Sequence, residues 1–295
     1  MRRLWTWLLG GLAAAGTQVL ADGPPITQLP STEWIPFALE GRVMLVQARV
    51  NDAGPFPLIL DTGATETVLT PPTALKAGVQ GRGAAAARQT GVAGRVQLGG
   101  VTVKDLPVYI FDPPQALPLR LDQGANYGGI LGVTFLRRFV TTLDYAGRRV
   151  RFQAVEQFPP LSGAAPSPGV VIPFTTDLGL IHVKGSVNGL GPLRLVVDTG
   201  SAEILIVPAA ARRLGLKVIP HEQDRTVGFT RLKSLALGTA CVTNVPAVVT
   251  SLLRETGGSL VYDGLVGYPF LSRFVVTINY RDQQLSLDEP GRARP

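Results

Sequence analysis

Apolar residues along the chain fall in short, β-branched runs separated by Gly, Pro, Asn and Asp, a pattern of many short strands and tight turns. Two of these runs, "PLILDT" and "LRLVVDT", are continuous rather than alternating and predict strands buried on both faces, each ending on an aspartate, Asp61 and Asp198. "TPPTALKAGV" and "VPAAARRLGL" predict short helices, each with proline near its first turn and glycine near its end. "VTFLRRF" and "YPFLSRF" predict one or two helical turns. A strand pair follows each, turning at Tyr145-Ala146-Gly147 and at Tyr280-Arg281-Asp282. Long amphipathic helices alternating with strands, which a doubly wound parallel sheet requires, are missing from the pattern. The expected fold class is all-β, mainly strands with a few short helices.

The same pattern is written twice. "VQARVNDAGPFPLILDTGATETVL" (46–69) returns as "VKGSVNGLGPLRLVVDTGSAEILI" (183–206), which sets Asp61 and Asp198 137 residues apart. "VQLGGVTVKDLPVYI" returns as "LALGTACVTNVPAVV" at an offset of 139, and "YGGILGVTFLRRFVTTLDYAGRRVRFQ" as "YDGLVGYPFLSRFVVTINYRDQQLSLD" at 135. Three blocks in one order with nearly constant offset indicate two homologous lobes. The expected division is a signal peptide (1–21), an N-terminal extension (22–41), a first lobe (42–155), a linker (156–169), a second lobe (170–288) and a tail (289–295). The linker is rich in Pro, Gly, Ser and Ala.

The N-terminus changes the picture of where the chain works. Arg2 and Arg3 precede an apolar stretch from Leu4 to Gly16, and Val19-Leu20-Ala21 has the small-residue character of a cleavage site. This reads as a secretory signal cut after Ala21, with an uncleaved anchor as the alternative. It implies an exported protein, in a bacterial periplasm or secreted, without membrane attachment once the signal is removed. The single cysteine, Cys241, rules out an internal disulfide, and its strand context predicts a buried structural thiol. One Cys and two His residues leave no zinc-type cluster, so no metal is expected. The net charge of +7 is spread over scattered arginines such as Arg137-Arg138 and Arg148-Arg149-Arg151. These are expected on solvated faces and not as a nucleic-acid stripe.

One Asp-Thr-Gly is a weak signal. Two, each after an apolar strand at equivalent places in two repeats, are a strong one. Two carboxylates about 3 Å apart cannot both ionise, so the pair shares a proton. One member then serves as base toward water while the other, protonated, polarises a carbonyl. Gly63 and Gly200 suit a loop in which backbone crowds a carboxylate, and the Thr62 and Thr199 hydroxyls suit hydrogen bonds across the lobe interface.

Each repeat resembles a retroviral-type (retropepsin-like) aspartic protease subunit. The resemblance rests on the early apolar-apolar-Asp-Thr-Gly-Ala/Ser motif, with Ala64 and Ser201 in the last place. It rests equally on the late apolar-apolar-Gly motif, Ile130-Leu131-Gly132 and Leu265-Val266-Gly267. It spans nearly all of the chain from Arg42 to Asp288. It implies two acid-protease lobes with the site at their interface, Asp61 and Asp198 as catalytic dyad, the late motifs packed under the catalytic loops, and no cofactor.

The resemblance also implies glycine-tipped flaps, for which "RQTGVAGRVQL" with Gly91 and Gly94 and "DRTVGFTRLKSL" with Gly228 are candidates, and pockets that favour hydrophobic residues around the cut. Ser201 opposite Ala64 implies a hydroxyl partner for Asp198 alone, which would make Asp198 the more readily ionised. Asp263, where the first lobe has Gly128, is read as a turn residue. The function expected is an aspartic endopeptidase acting on peptide or protein as a monomer. The alternatives are a non-catalytic peptide-binding protein on the same scaffold and a purely structural β-protein.

Overall fold

A computed structural model describes residues 26–28, 33–83, 88–112, 127–155, 169–251 and 262–291. The expected signal peptide and residues 156–168 of the expected linker lie outside them. The first lobe begins with three short strands, β1 (Ile26–Gln28), β2 (Ile35–Pro36) and β3 (Ala38–Glu40). The hairpin β4 (Val43–Val50) and β5 (Ala53–Leu60) follows, then the two-residue β6 (Val68–Leu69) and helix α1 (Pro71–Lys76). Thr70 caps α1 by accepting from the Thr73 N–H, and proline stands in its first turn, where a missing N–H costs nothing. A second hairpin, β7 (Gln89–Leu98) and β8 (Val101–Ile110), leads to β9 (Gly129–Leu131), the single-turn α2 (Val133–Leu136), and the pair β10 (Phe139–Asp144) and β11 (Arg149–Ala154).

The second lobe repeats the plan. After β12 (Val170–Pro173) and β13 (Thr175–Asp177) come the hairpin β14 (Leu180–Val187) and β15 (Leu190–Val197), β16 (Leu205–Ile206) and α3 (Pro208–Arg213). Then follow β17 (Ile219–Pro220), the hairpin β18 (Val227–Leu237) and β19 (Ala240–Thr250), β20 (Gly264–Val266), α4 (Tyr268–Leu271), β21 (Val275–Asn279) and β22 (Gln284–Asp288).

Within each lobe the first hairpin pairs with the second, β4 with β7 and β14 with β18, so the sheet curls back on itself. At its centre the strand that delivers the aspartate runs parallel to the late motif, β5 beside β9 and β15 beside β20. A third sheet joins the lobes in the order β12-β22-β21-β10-β11-β2, with β10 antiparallel to β21. At the middle of that pairing Thr142 Oγ1 lies 3.2 Å from Thr277 Oγ1. These are equivalent residues of the two repeats, so the pseudo-twofold axis passes between them. In the first lobe the rings of Phe135, Phe139 and Phe152, all almost fully buried, pack on one another where α2 meets β10 and β11. Each such ring contributes about 1.5–3 kcal/mol relative to exposure.

Two expectations are corrected here. Cys241 is exposed, not buried: it is the second residue of β19, beside the Gly238-Thr239 turn, and strand alternation turns it outward while Ala240 faces in. Arg149 and Arg151 do not simply face solvent. Both guanidinium groups stack on the Trp34 ring, 4.4 and 4.8 Å from its centroid, and Arg151 is buried there.

Candidate active site

The two aspartates leave their strands at the same place and meet at the lobe interface. The Asp61 N–H donates to the Leu131 carbonyl (3.1 Å) and the Asp198 N–H to the Val266 carbonyl (3.0 Å), so the late motif of each lobe holds its own aspartate loop. A turn farther on, the Val133 N–H donates to the Ala64 carbonyl and the Tyr268 N–H to the Ser201 carbonyl (2.8 and 2.9 Å). Gly132 and Gly267 sit where these loops press hardest. A Cβ at Gly132 would stand 2.1 Å from the Glu66 carbonyl oxygen, and one at Gly267 2.3 Å from that of Glu203. Space, not backbone conformation, requires glycine there.

The lobes are tied crosswise beneath the carboxyls. The Thr62 hydroxyl donates to the Val197 carbonyl (2.9 Å) and accepts from the Thr199 N–H (3.0 Å). The Thr199 hydroxyl donates to the Leu60 carbonyl (2.9 Å) and accepts from the Thr62 N–H (3.0 Å). All four bonds are buried and all four cross the interface, so the separation of the two loops is fixed by the protein itself.

Each carboxyl is then pinned by its own glycine: the Gly63 N–H donates to Asp61 Oδ1 (2.7 Å) and the Gly200 N–H to Asp198 Oδ1 (2.8 Å). Asp61 Oδ2 is buried and receives no N–H or hydroxyl hydrogen bond among the described residues. Burial raises the proton affinity of both groups. For Asp198 the facing Asp61 adds to it, and the carboxyl is held well above the usual carboxylate range. For Asp61 burial also dominates, opposed by the Asp198 carboxyl and by the N–H groups of Gly63, Ala64 and Gly200. Two buried carboxyls facing one another do not ionise independently, and they titrate as a unit.

Comparison with known proteins gives the same picture. The family model for "Aspartyl protease" matches residues 46–135 and again 183–270, more than half of the chain. The chain belongs to the aspartyl protease family, in two tandem copies. The aspartic proteinase of Irpex lacteus is similar in structure, with a TM-score of 0.53 at 15% identity over 88% of this chain and 98% of that one, which establishes the two-lobe fold. A retropepsin-like aspartic protease from Rickettsia conorii matches 40% of this chain and 89% of its own at 24% identity, with a TM-score of 0.31. No curated protein matches in sequence.

Not every residue singled out in the sequence of this family member falls where the sequence suggests. The Ser201 hydroxyl does not reach the Asp198 carboxyl: it donates to the Glu203 carbonyl (3.0 Å) and accepts from the Glu203 N–H (3.3 Å), bracing its own loop. Asp198, strongly raised, is therefore not made the more readily ionised member by that hydroxyl. Asp263 accepts from the Arg194 N–H (2.9 Å) and pairs with Arg213 (2.7 Å), tying β15 to α3.

The flap glycines are also displaced from the tips. Gly91 and Gly94 lie inside β7 and Gly228 inside β18, whose hairpins turn instead at Gly99-Gly100 and Gly238-Thr239. The β-prone residues on both sides of each glycine keep pairing across it. Where Gly91 lies, the Gln80 carbonyl oxygen passes 2.9 Å from a would-be Cβ. The hairpins that project ahead of these glycines are others. In one Arg82 is bridged to Thr90, and residues 84–87 lie outside the described residues; the other has Ile219–Pro220 paired with Gly228 and Phe229 and its tip at 221–226.

Two groups near the site escaped the sequence reading. Tyr145 and Tyr280, repeat-equivalents just past the ends of β10 and β21, are buried and half-buried respectively. Burial pushes both phenols up, with Asp198 adding to the first and Asp61 to the second. Each thus feels the aspartate of the other lobe. Their matched positions in "LDY" and "INY" were the available signal. Arg42 and Glu203 form an ion pair (3.4 Å) between the lobes. No cluster of metal-ligating side chains occurs among the described residues.

Proposed function

We propose that the chain is an exported aspartic endopeptidase in which Asp61 and Asp198 activate water against a peptide bond. The observation that carries this reading is the buried, facing carboxyl pair, with each member fixed by its own glycine and the two loops locked by the crossed threonines. The ionised carboxyl takes a proton from the attacking water as its oxygen bonds to the carbonyl carbon. The protonated carboxyl gives its proton to the carbonyl oxygen, and a tetrahedral gem-diol forms. Proton return to the amide nitrogen breaks the C–N bond, releasing an amine and a carboxylic acid, and the dyad regains its single proton. No covalent intermediate or cofactor is required.

Both halves of the site come from one chain, so a monomer suffices. Export rests on the basic, apolar and small-residue sequence of residues 1–21. Among the described residues no helix is long and apolar enough to cross a membrane. The test is cleavage of a mixed peptide library from acid to neutral pH by wild type, Asp61→Asn and Asp198→Asn. Wild type should cut and both variants lose nearly all activity. A variant that cuts as well as wild type, or a wild type that cuts nothing, would sink the reading; the latter outcome with retained peptide binding would favour a non-catalytic binder.

A further inference from the structure

The cleft is not symmetric. Beside the Asp61 loop lies a separate apolar cluster that includes Leu45, Ile59, Val68 and Ile130, with Tyr109 and Tyr127 packed against it. In the second lobe a cavity of about 620 Å³ opens beside the Asp198 loop. Glu203 of that loop lines it, Phe229 and Ile219 form an apolar wall, and Arg42, Lys217 and Arg231 supply three cations. Glu203 is already answered by Arg42 across the interface. Among the described residues Lys217 and Arg231 have no carboxylate partner. The Arg231 guanidinium is steadied by the Asn244 backbone carbonyl and side-chain oxygen (2.9 and 3.3 Å). Phe229 and Ile219 are large apolar side chains left 46% and 63% exposed, which a monomeric chain gains nothing by presenting.

The repeat supplies an internal comparison. Arg231 pairs with Pro246 on β19, and its counterpart on β7, paired with Pro107, is Val92. Lys217 follows α3 as Gln80 follows α1. Both unpaired cations of the second lobe are thus neutral in the first.

Resting on the protease reading above, we infer that this aspartic protease selects peptides bearing an acidic side chain at one fixed position, held in the second-lobe cavity by Lys217 and Arg231. The aliphatic part of a glutamate would lie on Phe229 and Ile219 while its carboxylate meets the two cations. The first-lobe side takes apolar residues. A substrate presented in one direction only follows from the same difference.

The experiment compares peptides of one sequence carrying Glu, Gln or Lys at each position around the cut, using wild type, Lys217→Glu and Arg231→Glu. Both residues are exposed, and a thermal unfolding curve for each variant checks that it folds. At one position wild type should prefer Glu over Gln by about five- to tenfold in kcat/KM, and either reversal should bring that ratio to one or below. Equal cutting of Glu and Gln peptides at every position overturns the inference while leaving the protease reading intact. Binding of the same peptides to Asp61→Asn, followed by fluorescence anisotropy, separates the two claims. If wild type cuts nothing, a Glu preference in binding that the charge reversals abolish still supports the cavity assignment, and its absence overturns that too.

Discussion

Gly63 lies directly against the carboxyl of Asp198 in the other lobe: a methyl group on it would sit 2.5 Å from Asp198 Cγ and Oδ2. Gly200 stands in the same relation to Asp61, with 2.3 Å to Cγ. Each Asp-Thr-Gly glycine therefore serves two carboxyls, pinning its own through the N–H and leaving room for its neighbour's. Gly63→Ala and Gly200→Ala should each force the dyad apart by a sizeable fraction of an ångström. Misplacement on that scale costs about a hundredfold in rate. Steady-state kinetics should show the loss mainly in kcat. Retention of more than a tenth of wild-type kcat by either variant would remove the glycine's role as spacer.

The crossed threonines hold the loops at that distance. Thr199→Val keeps the shape of the side chain but strands the buried Thr62 N–H and the Leu60 carbonyl, which Thr199 Oγ1 now satisfies. Unsatisfied buried groups cost roughly 1–3 kcal/mol each, so destabilisation of about 2–4 kcal/mol is expected. Thr199→Ser, which keeps the hydroxyl, should cost about 1 kcal/mol or less. Urea unfolding of the three proteins tests the ordering. Equal midpoints for Val and Ser would show that the hydrogen bonds contribute nothing net.

The two lobes, their strands and the meeting of Asp61 with Asp198 were legible because they rest on repetition and on apolar periodicity, both written in the chain. Ser201 was misread because its hydroxyl has a nearer choice, the Glu203 backbone two residues on, and a short local bond outcompetes a longer one. The flap tips were misplaced because glycine signals close approach as readily as a turn. Gly91 and Gly228 make room for the Gln80 carbonyl and the Val218 side chain from inside continuous strands. Cys241 differed because alternation near a hairpin end sets which face a residue takes, and the apolar neighbours alone do not. The crossed influence of Asp198 on Tyr145 and of Asp61 on Tyr280 depends on β10 lying beside β21, a contact made at long range.

The late-motif glycines allow a sharper contrast. At Gly132 a Cβ would collide with two backbone carbonyls, 2.1 Å from Glu66 and 2.6 Å from Ala64, and backbone in a hydrogen-bonded loop cannot step aside. At Gly128 the nearest atoms are side-chain atoms of Thr73, Phe56 and Leu58 at 2.9–3.2 Å, which can shift. Gly132→Ala should lose about 3 kcal/mol or more, the upper end of overpacking costs, and Gly128→Ala about 1 kcal/mol. Thermal unfolding of the two variants decides it, and comparable losses would mean that the Glu66 loop yields.

The shared proton makes stability depend on pH in a definite direction. Both carboxyls have their proton affinity raised on folding, Asp198 strongly, by burial and by each other. A group whose folded pKa lies above its unfolded value binds more protons in the folded state, so stability falls as pH rises between the two values. The unfolded aspartate value is about 3.9, so wild type should be most stable in mild acid and lose stability as pH rises from there through the raised folded values. Asp198→Asn removes one ionisable partner while keeping the shape, and should flatten that loss. At neutral pH it should be the more stable of the two, because the buried carboxyl that resists ionisation is gone. Stability measured by denaturant unfolding at several pH values gives both slopes. A variant that is less stable than wild type at neutral pH, or a wild type whose stability rises there, would mean that the pair is not held with a shared proton in the folded chain.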